Sequence, residues 1–467
     1  MNGPKRSISE QTIQKGSGME DTNPLPEPSS GVDKRRIHSY HPFEFHFTFN
    51  VQEAGGPMKA FFKVMDAEQV LAYRSEFPVA ETETIPILET PGRILAEEIV
   101  SDINLPDFRR TTMDGFAVKA ASTFGASEGS PGFMAVRGRI SMGKPPDFSL
   151  GPGEAARIST GGMLPDGADA VVMIEHTEAL DESAIEIYKS VAPGQHVVEI
   201  GEDFTQGDTI LKPGLRIRPQ EAGLLAAFGR EKVRVYKKPV VGIISTGDEV
   251  VPIDQHPKTG QIRDVNTYTL AGLIRESGGD PLIFGIIHDD YDALLDACTR
   301  AVDRSDMVLI SGGSSVGARD FTIEALSALP DAKIRVHGIS ISPGKPTILA
   351  QVGIKPVWGL PGHVVSAMIV FTMITRPFLY HMAGREPERR RAFRIPARLG
   401  RNLASVQGRV DYVRVRLKED ETGGLIAEPI LGKSGLIHTM VKADGLIEID
   451  RDTEGLDKDE PVSVIPL

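Results

Sequence analysis

The stretch "DMVLISGGSSVGARDFT", residues 306–322, joins a strand, a loop and a helix start. Residues 307–310 are a short apolar run of the kind that forms a buried strand. The run stops at glycine and serine, and Arg319 and Asp320 lead into a helical pattern over 321–329. Glycines at such a joint let main-chain N–H groups approach a ligand closely, and the helix start favours an anion. No Gly-Lys-Ser/Thr closes the loop, so it is not a P-loop. Gly312, Gly313 and Gly317 also miss the G-x-G-x-x-G spacing of dinucleotide folds. Alone, the stretch predicts an anion near a helix start.

The same unit recurs around it. Strand 240–244 precedes helix 267–276, 282–287 precedes 291–302, and 357–360 precedes 364–380. This alternation predicts a doubly wound, parallel α/β sheet over 239–389. Ligands of such sheets bind outside the carboxyl ends of the strands. Here those ends run into "STGDE" (245–249), into His288, Asp289 and Asp290, into the glycine loop, and into "PGH" (361–363). One edge then gathers Asp248, Glu249, Asp289, Asp290 and Asp320 beside an anion loop. Carboxylates next to a phosphate loop point to bridging Mg²⁺, with Asp289 and Asp320 as ligands. "SPGKP" (342–346) offers Lys345 as a compact charge for an oxyanion. Each residue also has a structural reading. Asp320, Asp264 and Asn266 stand where N-caps stand, Gly-Gly after a strand makes turns, and Lys345 suits a solvated tip.

The 467-residue chain carries a net charge of -12, which argues against nucleic acid as a partner. Its one cysteine, Cys298, excludes a disulfide framework and a Cys-based zinc site within one chain. No signal peptide is visible. The longest apolar run, about 364–374, is short of the ~18 residues of a membrane span. A cytoplasmic protein is expected. Residues 1–57, rich in proline and serine, read as a disordered tail. Residues 58–112 and 200–238 read as a discontinuous linker domain. Strand candidates at 133–137, 155–159, 170–174 and 184–188 read as an inserted β-rich domain over 113–199. Residues 390–467 read as a small C-terminal β domain.

"TTMDGFAV" (111–118), "GEDF" (201–204), "STGDE", "SGGSSVGARDFT", "SPGKP" and "GLPGHVVSA" (359–367) make a set that resembles the molybdopterin molybdenumtransferases, the family of bacterial MoeA and the gephyrin E domain. The resemblance covers 58–467. It implies an elongated homodimer of four domains per chain. It also implies Mg²⁺-dependent hydrolysis of adenylyl-molybdopterin, insertion of molybdate into the dithiolene, and release of AMP. By resemblance, Gly312, Gly313, Ser315 and Gly317 receive the pterin's phosphate. Glu249, Asp289 and Asp320 match essential acids of the same domain. Asp114, Thr160 and Asp203 match residues of the other domains, which implies a site shared between protomers. For molybdate, Lys345, Ser366, Arg409 and Ser434 match. A molybdopterin adenylyltransferase and molybdoenzyme apoproteins are the partners this role implies.

Three departures bear on the oxyanion. Ser342 stands where the family often has lysine, His363 and Val364 where it usually has Asn-Pro, and Ala318 where it usually has an acid. Alternatives remain: a tungstate-inserting paralogue, another enzyme on the same pterin-binding fold, and a non-catalytic molybdopterin-binding scaffold.

Overall fold

The computed structural model describes residues 64–312, 318–386 and 393–467. The tail expected over 1–57, the loop residues Gly313, Ser315 and Gly317, and the side chain of Asp320 lie outside what it describes.

The central sheet has six strands: β1 (Val240–Thr246), β2 (Asp280–Ile287), β3 (Met307–Ser311), β4 (Ala332–His337), β5 (Ile348–Val352) and β6 (Lys355–Leu360), in the order β2-β1-β3-β6-β5-β4. β1 pairs in parallel with β2 and β3, and β3 pairs in parallel with β6. β5 runs antiparallel to both its neighbours. The helices α1 (Asn266–Glu276), α2 (Tyr291–Arg304) and α3 (Ala318–Ala328) cross between strands. One apolar core joins α1 and the 364–382 helix to one face, and another joins α2 and α3 to the opposite face. Burial on both faces explains why β3 is apolar without alternation.

β4 and β5 were not among the expected strands. β5 turns straight back into β6 at Gly353 (φ +58°), so no helix follows it to mark a unit. The terminal helix also exceeds its expected apolar core. It continues through a π-helical segment, Phe371–Thr375, to Met382. Among the described residues, Val364–Met382 is the one helix long and apolar enough to cross a membrane, and 67% of it is buried inside the fold. Trp358 and Phe378 pack edge-on there, 4.9 Å between centroids.

Three smaller assemblies surround the sheet. Thr82–Pro86 pairs with Lys232–Tyr236 and Ile99–Val100 with Thr209–Leu211, so distant segments share one core. In the β-rich sheet, Phe116 and Val118 point to one core and Ala117 to another, the period of a strand buried on both sides. In the C-terminal sheet, Val410–Glu419 pairs with both Leu425–Pro429 and Gly445–Ile449, which closes a barrel-like ring. Ile341–Ser342, from the "SPGKP" turn, adds a parallel edge to Val410 and Asp411.

Candidate ligand-binding cleft at the carboxyl edge of the central sheet

From β1 the chain crosses to β2 on one side, then returns to β3 on the other. The strand order therefore reverses between β1 and β3, where α/β sheets open a crevice. A cleft of ≈ 600 Å³ lies at this edge. Its walls include Ser245–Gly247 and Glu249 at and beyond the end of β1, Arg263–Asn266 at the start of α1, Asp289, Ser311 and Gly312, Gly362–Val364, and Gly435 from the C-terminal barrel. Gly312 (φ +124°) lets the strand ends meet. A Cβ there would lie 2.2 Å from the Thr246 carbonyl oxygen, so no other residue fits without movement.

The cleft holds unmet hydrogen-bonding capacity. Thr246 Oγ1, Ser311 Oγ and Asn266 Oδ1 are buried without a partner among the described residues. These residues are only 4%, 1% and 9% exposed. Asn266 uses its Nδ2 to donate to the Gly362 carbonyl at 2.9 Å, so its remaining capacity is an acceptor. Asp264, not Asn266, caps α1: its Oδ1 accepts from the Thr267 N–H at 3.1 Å. A buried polar atom left unpaired costs about 1–3 kcal/mol, and a ligand can relieve it.

The acids divide into three kinds. Glu249 and Asp289 line the cleft. Asp248 accepts from the Asp289 N–H at 3.1 Å, and its carboxylate lies 3.2 Å from His288 Nδ1. Asp290 does not join the site; it caps α2 by accepting from the Ala293 N–H at 2.8 Å. Asp289 is exposed as a whole residue. Even so, the cleft wall around its carboxyl holds its pKa above the usual value of 3.8, and the charges of Asp248 and Glu249 add to this. Asp320 lies in the first turn of α3, which begins at Ala318, so it is not the N-cap of a helix starting at Phe321. Among the described residues no three His, Cys, Asp or Glu side chains form a metal-holding group. Glu249 and Asp289 are oxygen donors facing one cleft, and a hard divalent cation suits such donors.

The remaining expected residues fall elsewhere. Asp114 and Thr160 meet: the Thr160 N–H donates to Asp114 Oδ1 at 2.7 Å, both residues being exposed. Asp203 is exposed in the linker assembly, where its N–H donates to the Leu105 carbonyl at 3.0 Å. None of the three lines the cleft. Lys345 is exposed on a turn fixed by Gly344, where a Cβ would strike Val370 Cγ2 at 2.5 Å. Ser366 is buried in the first turn of its helix rather than facing the cleft wall. Arg409 is not a free cation; its Nε lies 2.8 Å from Asp411 Oδ1. Ser434 reaches the cleft through His363, whose Nδ1 is 2.8 Å from Ser434 Oγ.

Sequence reasoning set Thr246 in "STGDE" and His363 in "PGH" at this edge without giving either a role, read Asn266 as a helix cap, and missed Arg263. Thr246 and Asn266 flank elements that were recognised. For His363 the signals were its place in the "PGH" strand-end loop and its departure from Asn-Pro.

An α/β domain with a polar cleft at its switch point, flanked by a discontinuous linker, a β-rich insertion and a barrel-like C-terminal domain, defines a small-molecule-processing class rather than a scaffold of repeats. Three family profiles match in order: "MoeA N-terminal region (domain I and II)" over 63–229, "Probable molybdopterin binding domain" over 242–381, and "MoeA C-terminal region (domain IV)" over 396–467. A Methanocaldococcus jannaschii protein assigned to molybdopterin biosynthesis is 37% identical, covering 88% of this chain and 98% of its own. The Bacillus subtilis molybdopterin molybdenumtransferase is 32% identical over 82% of this chain and 90% of its own. The crystal structure of a molybdopterin biosynthesis MoeA protein from Pyrococcus horikoshii is 40% identical, with a TM-score of 0.70, covering 86% of this chain and 99% of that one. The chain belongs to the MoeA family.

Proposed function

We propose that this protein is a molybdenum insertase. It hydrolyses adenylyl-molybdopterin, transfers molybdate into the pterin dithiolene and releases AMP. Family membership supports the substrate. The observation that carries the site is the set of buried, unpartnered polar atoms of Thr246, Ser311 and Asn266 at the switch point. These offer two hydroxyls and one acceptor to a polar heterocycle, and the family resemblance assigns its phosphate to the loop that begins at Gly312. Glu249 and Asp289, with Asp320 on α3, are the residues that would hold Mg²⁺, which would neutralise charge developing on the phosphates.

Asp114, Thr160 and Asp203 are absent from the cleft lining, which favours a homodimer in which a second copy supplies them. For the oxyanion, Lys345 is the exposed cation among the residues that match the family, because Arg409 is paired with Asp411 and Ser342 carries no charge. Losing one charge-assisted hydrogen bond, worth about 1.5–3 kcal/mol, should raise the molybdate requirement of Lys345→Ala roughly ten- to a hundredfold. The reading places the protein after a molybdopterin adenylyltransferase and before the apoenzymes that receive the cofactor.

The deciding experiment mixes purified protein with adenylyl-molybdopterin, Mg²⁺, and either molybdate or tungstate, and follows AMP. Release that depends on Mg²⁺ and one of the oxyanions is expected. Tight pterin binding without AMP release would establish a scaffold instead.

A further inference from the structure

Arg414 lies on the barrel strand Val410–Glu419 and is only 8% exposed. Among the described residues no carboxylate pairs with it. Its Nη1 donates to Thr439 Oγ1 and its Nη2 to the Gly432 carbonyl, both at 3.0 Å. Its Nε is buried without an acceptor. Burial alone pushes the guanidinium's pKa down from its ordinary value. Burying an unpaired charge is unfavourable, and an apolar side chain of similar length would fill the volume more cheaply. What an apolar chain lacks is a rigid fork that can hold two acceptors at once.

The two acceptors stand at the ends of one segment, residues 432–439. Gly432 is packed against Thr439 so closely that a Cβ would lie 2.9 Å from its Cγ2. Midway along this segment, Ser434 is tied to the central domain twice. Its carbonyl accepts from the Val365 N–H at 3.1 Å, and its hydroxyl meets His363 Nδ1. His363 and the next residue, Gly435, both line the cleft. The segment is therefore gripped from behind by a fork and from the cleft side by an imidazole.

We propose that Arg414 and His363 are positioning residues that hold segment 432–439 in place as the barrel's wall of the cleft. The role rests on reading the cleft as the molybdopterin site. It couples the C-terminal domain to occupancy of a cleft built mainly from another domain.

The test uses full-length Arg414→Met, Arg414→Lys, His363→Ala and His363→Asn. Two measurements are made: the KM and kcat for adenylyl-molybdopterin, and amide hydrogen exchange across 432–439 without ligand. Arg414→Met and His363→Ala should each speed exchange in the segment and raise KM about tenfold, the loss of one net hydrogen-bonding clamp, while kcat falls less. His363→Asn should restore much of both, because its amide can again meet Ser434. Arg414→Lys keeps charge but loses the fork, so exchange should stay fast. Wild-type exchange in both Arg414→Met and His363→Ala would overturn the inference. So would a drop in thermal stability with unchanged KM and no rescue by His363→Asn. Should Arg414→Met fail to fold, the two His363 variants decide alone. Wild-type protein that never turns over adenylyl-molybdopterin counts against the functional reading, and the exchange measurement still decides the positioning one.

Discussion

Gly115 and Gly312 each stand where a strand end meets a carbonyl oxygen too closely for any Cβ, 1.9 Å from Val172 and 2.2 Å from Thr246. The two corners built on these glycines differ in what surrounds them. Beside Gly115, the Asp114 carboxylate accepts from the Thr160 N–H and is otherwise open to water. Beside Gly312, Thr246 and Ser311 bury hydroxyls without partners among the described residues, and Asp248, Glu249 and Asp289 crowd one another. The first corner is complete as it stands. The second carries polar groups that no described residue satisfies and that a ligand could. A carboxylate at a satisfied corner acquires a role when something docks on it, whereas an unsatisfied cleft already specifies the polarity of its occupant.

The largest effect should come from uniting the corners. Asp289→Ala and Asp114→Ala are each expected to lower AMP release about a hundredfold or more without unfolding the protein. If one copy supplies the cleft and its partner supplies Asp114, mixing the two inactive variants rebuilds one intact site per mixed dimer. Random exchange should then return about a quarter of wild-type activity. No recovery after verified subunit exchange would place both residues of a site in one copy.

Next in size is Gly312→Ala. The added Cβ must push the ends of β1 and β3 apart in a left-handed backbone conformation, at about 2–3 kcal/mol by urea unfolding. Gly115→Ala should be similarly destabilising but should spare pterin binding by the isolated chain. Equal losses of binding in both would erase the distinction between the corners.

A smaller effect has the opposite sign. Thr246→Val and Ser311→Ala remove unpaired buried hydroxyls, so each should stabilise the ligand-free protein by roughly 1 kcal/mol while weakening pterin binding. Thr160→Ala should leave stability within about 0.5 kcal/mol, because its bond to Asp114 comes from the main chain. Thermal melts with and without ligand would separate these outcomes.

The smallest effect is a pH dependence. Asp289 binds its proton more tightly when folded than its ordinary value of 3.8 implies. Its contribution to stability is therefore fully present below that value and is lost as pH rises through the raised pKa. Asp289→Asn should accordingly be more stable than wild type at neutral pH, with the advantage shrinking as the medium is acidified. An advantage that does not shrink as the pH falls from neutral to below 3.8 would remove the burial and charge crowding of the Asp289 carboxyl as its cause.

How much of this was legible in advance can be traced residue by residue. Strand–loop–helix rhythm, the glycine loop and the proline–glycine turns are local patterns, and they sufficed for the α/β class, the order of its main elements and the edge that bears the cleft. β4 and β5 escaped because a hairpin without a following helix breaks the rhythm that was being read. The site was legible as a set of loops but not as a set of contacts. Asp289 and Asp290 are neighbours with the same side chain, yet one lines the cleft and the other caps α2. Asp114 finds Thr160 across 46 positions, and His363 finds Ser434 across 71. Arg409 looked like a free cation until Asp411 was seen to hold it. Periodicity and turn chemistry depend on the nearest few residues, so the sequence alone determined the elements and their order. Whether a polar side chain is satisfied depends on which distant segments strand pairing and helix packing bring within hydrogen-bond reach, and only the tertiary structure decided that.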